Sequence, residues 1–319
     1  MKEVTFIRRN IDKWHEFEAV AEAGYDASPA AVADAYIDVT SDLSYAQTRY
    51  PRSRITLYLN HLAAALHQQI YRNKGERWSR LWTFWRDEVP QVMYLSRREL
   101  WWSVLIFLVG MAVGVVSQCL DSEFCRLIMG NSYVEMTLDN ISKGEPMGVY
   151  GTAVEDRMFL AITMNNIKVS FLVFVAGLLT SLGTGFILLQ NGIMLGTFQA
   201  FLSQQGVLMQ SLPAIWLHGT LEISAIVVAG AAGIAMGNGW LFPDTYSRMR
   251  SFRMGAKRGL KIVIGTVPIF CVAGFIESFL TRHTEWPDAF RLSIIGLSAA
   301  FVAYYFVILP HRRYGIQKT

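Results

Sequence analysis

The stretch from Val169 to Leu217, VSFLVFVAGLLTSLGTGFILLQNGIMLGTFQAFLSQQGVLMQSLPAIWL, contains no Asp, Glu, Lys, Arg or His. A membrane-spanning helix needs about 20 predominantly apolar residues, so this run is long enough for two spans joined by a turn. Gln190-Asn191-Gly192 is the expected turn, because Asn-Gly readily takes the left-handed conformation of a tight reversal. Formal charge is also missing between Glu99 and Asp121, from Ile223 through Pro243 and from Leu292 through Pro310. The chain is 52% hydrophobic with a mean hydropathy of +0.29. That excess is confined to a few stretches, which excludes an ordinary soluble enzyme. The expected class is all-α, a polytopic membrane helix bundle of about six transmembrane helices. The spans lie near 100–117, 159–189, 193–206, 213–237, 261–280 and 292–309.

Charge sets the orientation. The loop from Trp240 to Arg258 holds Arg248, Arg250, Arg253, Lys257 and Arg258 against one acid, Asp244, and is expected inside. Between the first two spans, Arg126, Lys143 and Arg157 are set against Asp121, Glu123, Glu135, Asp139, Glu145, Glu155 and Asp156. That loop is expected outside, as is the short one with Glu285 and Asp288. Arg97 and Arg98 before the first span, and Arg312, Arg313 and Lys318 after the last, place both termini in the cytoplasm of a bacterial inner membrane. Met1-Lys2-Glu3-Val4 leads into charged, amphipathic sequence, so no cleaved signal peptide is expected.

Residues 1–98 read as a cytoplasmic helical domain and 99–319 as the transmembrane domain. Ile11, Trp14, Phe17 and Val20 mark one amphipathic helix. A second, with Ser28 as cap and Pro29 in its first turn, carries Val32, Tyr36, Val39 and Leu43; a third carries Ile55, Leu59, Leu62 and Leu66. Three such stripes bury themselves most simply against one another as an antiparallel bundle. Trp78, Leu81, Trp82, Trp85, Val89 and Val92 then share a face close to Arg77, Arg80 and Arg86. This segment is either an interfacial helix on the inner leaflet or a fourth bundle helix.

The residues that can carry chemistry lie in the fourth span. His218 and Glu222 are four apart and stack on one helical face. Ionisable groups within a membrane cost roughly 2.5–3.5 kcal/mol each on insertion scales, so they should face the protein interior and have partners. The topology gathers Asn165, Asn166 and Lys168 of the second span, Gln204 and Gln205 of the third and Glu277 of the fifth at the same outer level. One polar cluster is therefore expected there, with Lys168 as counter-charge to Glu222 or Glu277. It reads either as a substrate or proton site or as a network that fixes packing or contacts a partner.

His218 with Glu222 supplies two metal ligands and no third histidine lies near, so neither a metal nor a cofactor is expected. The HExxH, GxSxG and phosphate-loop patterns are absent from the sequence, no nucleophile is nominated, and no enzyme is expected. Cys119 and Cys125 are close enough in sequence to pair if oxidised, while Cys271 sits in an apolar run and reads as a buried small hydrophobe. Small residues recur every four positions at Gly110 and Gly114, at Gly192, Gly196 and Ala200, and at Ala225, Ala229, Gly233 and Gly237. Such rows let backbones approach closely in lipid, either within the chain or at a homodimer face.

Asn165-Asn166-Ile167-Lys168 entering a long glycine-containing span, Asn191-Gly192 with Gly196 one turn on, and His218-Gly219 followed by Glu222 together resemble the stage II sporulation protein M family. The resemblance covers about residues 95–310. Leu217 stands where the family usually has proline before the histidine, and the cytoplasmic arm resembles that of the longer members. What the resemblance implies is a membrane scaffold. Founding members help assemble peptidoglycan-degrading machinery, and longer ones are similar to proteins encoded near AAA-type ATPases and von Willebrand A-domain proteins. Asn165, Asn166, Asn191, Gly192, His218, Gly219 and Glu222 carry over as motif positions, with no catalytic role.

The expected function is therefore a scaffold or assembly protein of a cell-envelope complex. Its expected partners are membrane lipids, proteins at the cytoplasmic domain and outer loop, and a second copy of itself, but no nucleic acid. The alternative is a transporter or channel built around His218 and Glu222.

Overall fold

Apolar stripes at helical spacing dictate the first part of the structure. The computed structural model describes residues 2–23, 28–71, 78–144, 155–281 and 286–315; Arg77, Glu145, Glu285 and Lys318 fall outside them. Among the described residues there is no strand, and the chain divides into two units, Met1–Leu81 and Trp82–Thr319.

In the first unit α1 (Glu3–Glu22), α2 (Pro29–Arg49) and α3 (Arg54–Tyr71) form a three-helix bundle. Ser28 Oγ accepts the Ala31 N–H at 3.2 Å, as the cap reading requires. Trp14, Val39, Leu59 and Leu66 are fully buried, and Ile11, Phe17, Tyr36 and Leu43 pack around them. Each such aliphatic side chain contributes roughly 1.5–3 kcal/mol when removed from water. The Trp14 indole N–H donates to Asp42 at 2.9 Å, and Lys13 lies 2.6 Å from the same carboxylate. The polar edge of the buried indole is thereby satisfied.

The second unit opens inside the segment read as interfacial. From α4 (Trp78–Thr83) the chain passes one π turn, Phe84–Glu88, into α5 (Val89–Leu95). The Trp85 indole donates to Gly265 O at 3.4 Å, Tyr305 Oη donates to Trp85 O, and Val89 is fully buried. Lys261 reaches Glu88 at 2.6 Å and Arg313 reaches Asp87 at 2.8 Å. Trp85, Val89 and Val92 thus pack against the helices of the second unit, whereas Leu81 and Trp82 are exposed, and the boundary between the two units falls after Leu81 rather than at residue 98.

Next come α6 (Arg97–Leu120), the short pair α7 (Phe124–Met129) and α8 (Asn131–Ser142), then α9 (Glu155–Val175), α10 (Thr180–Gln204) and α11 (Leu208–Leu241). They are followed by α12 (Arg248–Phe275), α13 (Asp288–Ala303) and α14 (Leu309–Tyr314). Among the described residues, five helical stretches are long and apolar enough to cross a membrane, the second being Phe159–Gln204 with 46 residues. Straight, it would measure about 69 Å, more than twice the hydrocarbon core of about 30 Å. It is folded back on itself by a 3-10 turn, Ala176–Leu179, and by Thr180 with φ of 76°. Asn166 meets Glu222 and Gly177 meets Gly233, so α9 runs parallel to α11. Leu188 meets Gly230 and Ser181 meets Gly237, so α10 runs antiparallel to it. Thr184 Oγ1 donates to Val173 O at 3.0 Å and ties the two arms together.

The turn expected at residues 190–192 is therefore corrected to 176–180. Asn191 lies inside α10 with its amide on Ile187 O at 2.8 Å, and Gly192 serves close packing: a Cβ there would sit 2.4 Å from Phe107 O. The residue that reverses the chain is a threonine, not the Asn-Gly pair. α11 also starts earlier than the span expected from residue 213, at Leu208, one residue beyond the Gly206-Val207 pair. That glycine adopts φ of 74°, and the Val207 N–H reaches back to Leu202 O at 3.1 Å, a left-handed helix stop.

The recurring small residues are used inside the chain. A Cβ at Gly110, Gly114 or Gly196 would lie 2.0–2.5 Å from a backbone oxygen of the facing helix, α6 against α10. Ala225, Ala229, Gly233 and Gly237 are buried in α11, which α9, α10 and α12 enclose. These rows are internal contacts and not a homodimer face. Cys119 and Cys125 are free thiols. Cys125 is buried with Val134, Phe201, Leu202 and Ile215, whereas Cys271 is exposed on α12, contrary to the buried reading.

Candidate functional site

The cluster is built on three helices. His218 and Glu222 share one face of α11, as their spacing requires. Asn166 of α9 donates its amide to Glu222 Oε1. At its C-terminal end α12 loosens into a π turn, Ile276–Leu280, closed by the Thr281 N–H on Ile276 O at 3.0 Å. Glu277 lies in that turn with Oε1 3.8 Å from His218 Nε2, while Thr281 Oγ1 lies 3.4 Å from His218 Nδ1. Single π turns are frequent at functional sites because the extra residue re-aims a side chain. His218 is 6% and Glu277 9% exposed.

One ligand atom each from His218, Glu222 and Glu277 can be chosen so that all lie within 4.8 Å of one another. Two unit negative charges at that separation repel by at least about 3.5 kcal/mol at an effective dielectric of 20. The two carboxylates therefore need a proton or a cation between them. Among the described residues no Lys or Arg makes an ion pair with either.

The expected composition is corrected in three places. Asn165 and Lys168 are exposed on α9, away from Asn166, so Lys168 is not the counter-charge. One step along a helix turns the side chain by about 100°, which separates Asn165 and Lys168 from the inward row Thr163, Asn166 and Ser170. Gln204 exchanges hydrogen bonds with Gln118 of α6, at 2.8 and 2.9 Å, and Gln205 is exposed, so neither joins the cluster. Gly219 is buried beside His218, but a Cβ there would meet only Ile223 Cδ1, at 3.7 Å.

Other members had no signal in the sequence. The side chain of Thr281 faces His218, and the hydroxyls of Thr163 and Ser278 are buried nearby on α9 and on the π turn without a protein partner among the described residues. Tyr133 stands on α8, in the segment between α6 and α9. Burial, and secondarily the charge of Glu277, push its phenol above the usual tyrosine range. The π turn places Glu277 and Thr281 beside His218, and no residue type announces such a turn.

These features define an all-helical, multi-pass membrane protein with a buried ionisable cluster between its transmembrane arms. The family model for stage II sporulation protein M matches residues 103–282, more than half of the chain, and the chain belongs to that family. Residues 4–72 match a domain of unknown function (DUF8413), which coincides with the three-helix bundle. No curated protein and no solved structure matches the chain.

Proposed function

We propose that the protein is a non-catalytic scaffold or assembly factor of a bacterial cell-envelope complex. It sits in the inner membrane with both termini in the cytoplasm, and it recruits protein partners through the three-helix unit and the outer helices α7 and α8. One observation carries this reading. From Ala229 to Gly239, α11 is packed backbone to backbone against α9, α10 and α12, with Cβ positions at Gly233, Gly237, Gly255 and Gly259 only 2.2–2.6 Å from neighbouring atoms. A bundle closed in this way supports a static platform over a conduit that must open and shut.

Basic residues support the orientation. Arg258 contacts Leu95 O and Glu99 at 3.4 and 3.5 Å, Lys261 contacts Glu88, and Arg313 contacts Arg86 O and Asp87. These groups, with Arg97 and Arg98, crowd one end of the bundle, the end expected to face the cytoplasm. Partners in the cell envelope follow from family membership together with a separate, self-cored N-terminal unit.

The test compares the full chain with a chain lacking residues 1–81, each purified in mild detergent from its own membranes. Envelope components should accompany the full chain and fall at least ten-fold in the truncated one, with envelope defects in cells that carry only the latter. A chain always isolated alone, in cells indifferent to the truncation, overturns the reading.

A further inference from the structure

We propose that His218, Glu222 and Glu277 form a binding site for one divalent transition-metal ion of the zinc class, held within the membrane bundle. The inference goes beyond the scaffold reading and does not rest on it.

Ligand chemistry comes first. One imidazole and two carboxylates form a three-ligand set of the kind zinc takes, with nitrogen and oxygen ligands at about 2.0–2.2 Å. Imidazole argues against magnesium and calcium, which prefer oxygen ligands throughout. Two carboxylates with no Lys or Arg ion pair among the described residues would, once both are ionised, present the −2 charge that a divalent ion neutralises.

Geometry comes next. Tetrahedral zinc separates its ligand atoms by about 3.3 Å. His218 Nε2 and Glu277 Oε1 are 3.8 Å apart, and all three ligand atoms lie within 4.8 Å of one another. Closure needs inward shifts of about 1 Å, which torsions of the two glutamate side chains supply. The ligands come from two elements, an i,i+4 pair on α11 and a π turn at the end of α12, so an ion here would staple those helices together.

The surroundings supply the outer partners that metal ligands usually have. Asn166 donates to Glu222, and Thr281 Oγ1 sits at the second ring nitrogen of His218, leaving Nε2 directed toward Glu277. With three protein ligands, one tetrahedral position remains for a fourth group. His218 with Glu222 alone falls one ligand short in the sequence; the π turn supplies it.

The experiment uses the full chain, purified in detergent from cells grown with added zinc and desalted. Metal per chain is measured by plasma mass spectrometry, and Co2+ is titrated into chelator-treated protein while visible absorption is followed. We expect about one zinc per chain, and intense tetrahedral Co2+ bands that zinc abolishes. Glu277→Gln and His218→Ala should each lower zinc content at least ten-fold, and Asn166→Ala should weaken Co2+ affinity by about ten-fold while keeping the bands.

Monodisperse wild-type protein that retains no zinc, manganese or iron and develops no Co2+ bands overturns the proposal, leaving a carboxylate pair that shares a proton. Equal zinc content in wild type and Glu277→Gln also overturns it, since the ion then sits elsewhere. Should the variants fail to fold, the wild-type titration alone decides. Partner recovery is scored on the chain lacking residues 1–81, so failure of the scaffold reading is read out separately from failure of the metal site.

Discussion

From Ala229 to Gly239, α11 meets its neighbours through hydrogens and methyl groups; from His218 to Glu222 it meets α9 and α12 through an imidazole and a carboxylate. The same helix thus uses two kinds of glue. The Ala229–Gly239 half relies on shape, with Gly233, Gly237 and Gly239 against facing backbone and Gly230 against the Ser103 and Leu188 side chains. The His218–Glu222 half relies on polar partners, and Gly219 within it has room for a methyl group. In lipid, close packing and interhelical hydrogen bonds drive helix association, since tails are as apolar as leucine. A stretch built on shape has one solution, whereas a stretch built on titratable groups can change state when a proton or ion arrives.

The strongest way to break this contrast is Gly233→Ala. Its Cβ would lie 2.3 Å from Thr184 Oγ1 and 2.7 Å from Val173 O, so α9, α10 and α11 must separate. A loss of about 3 kcal/mol or more is expected, visible as a large fall in detergent melting temperature or as failure to yield monodisperse protein. Asn166→Ala attacks the polar half instead. It strips Glu222 of its amide partner and should cost about 2 kcal/mol by the same melting assay, with the bundle still forming. A full wild-type melting temperature there would show that the polar contact contributes nothing.

Thr180→Gly should stabilise. Thr180 holds φ of 76° and ψ of 174°, a region open essentially to glycine alone, so relief of about 1 kcal/mol is expected. Part of it is offset by losing the Thr180 Oγ1 contact to the Leu182 N–H at 3.4 Å. The smallest effect sharpens the comparison most. Gly219→Ala, in the same helix as Gly233→Ala, should raise stability by about 0.5 kcal/mol, since the methyl meets only Ile223 and helical glycine is entropically costly. Opposite signs at these two glycines, measured side by side, would establish that only one half of α11 is locked by shape; a loss at both would sink the distinction.

Much of the architecture was legible in the residues for physical reasons. Val32, Val39, Leu59 and Leu66 stood out because a soluble bundle must contrast its inner and outer faces, and all four are buried. The spans stood out because charge is excluded from lipid. The reversal between α9 and α10 did not. Asn191-Gly192 has the chemistry of a turn, but Gly192 is needed where α10 touches α6, and a strained threonine turns the chain instead. The core of the candidate site, His218 with Glu222, followed from helical spacing, and Asn166 and Glu277 from topology. Lys168 was misplaced because level along a helix says nothing about azimuth. Thr281 and Tyr133 carried no signal, since one depends on a local change of helical register and the other on how a loop helix folds over the bundle.

The π turn at Ile276–Leu280 has a genetic meaning. It accommodates about one residue more than an uninterrupted α-helix would, and each residue is worth about 100° of rotation. Deleting the Phe279 codon would let this stretch close as an uninterrupted α-helix with Thr281 in nearly its present place, and the side chain it would re-aim is Glu277, turned relative to His218 while every residue of the cluster stays in the chain. In this protein a reading-frame-preserving deletion that removes no cluster residue would be more disruptive than many substitutions on the surface.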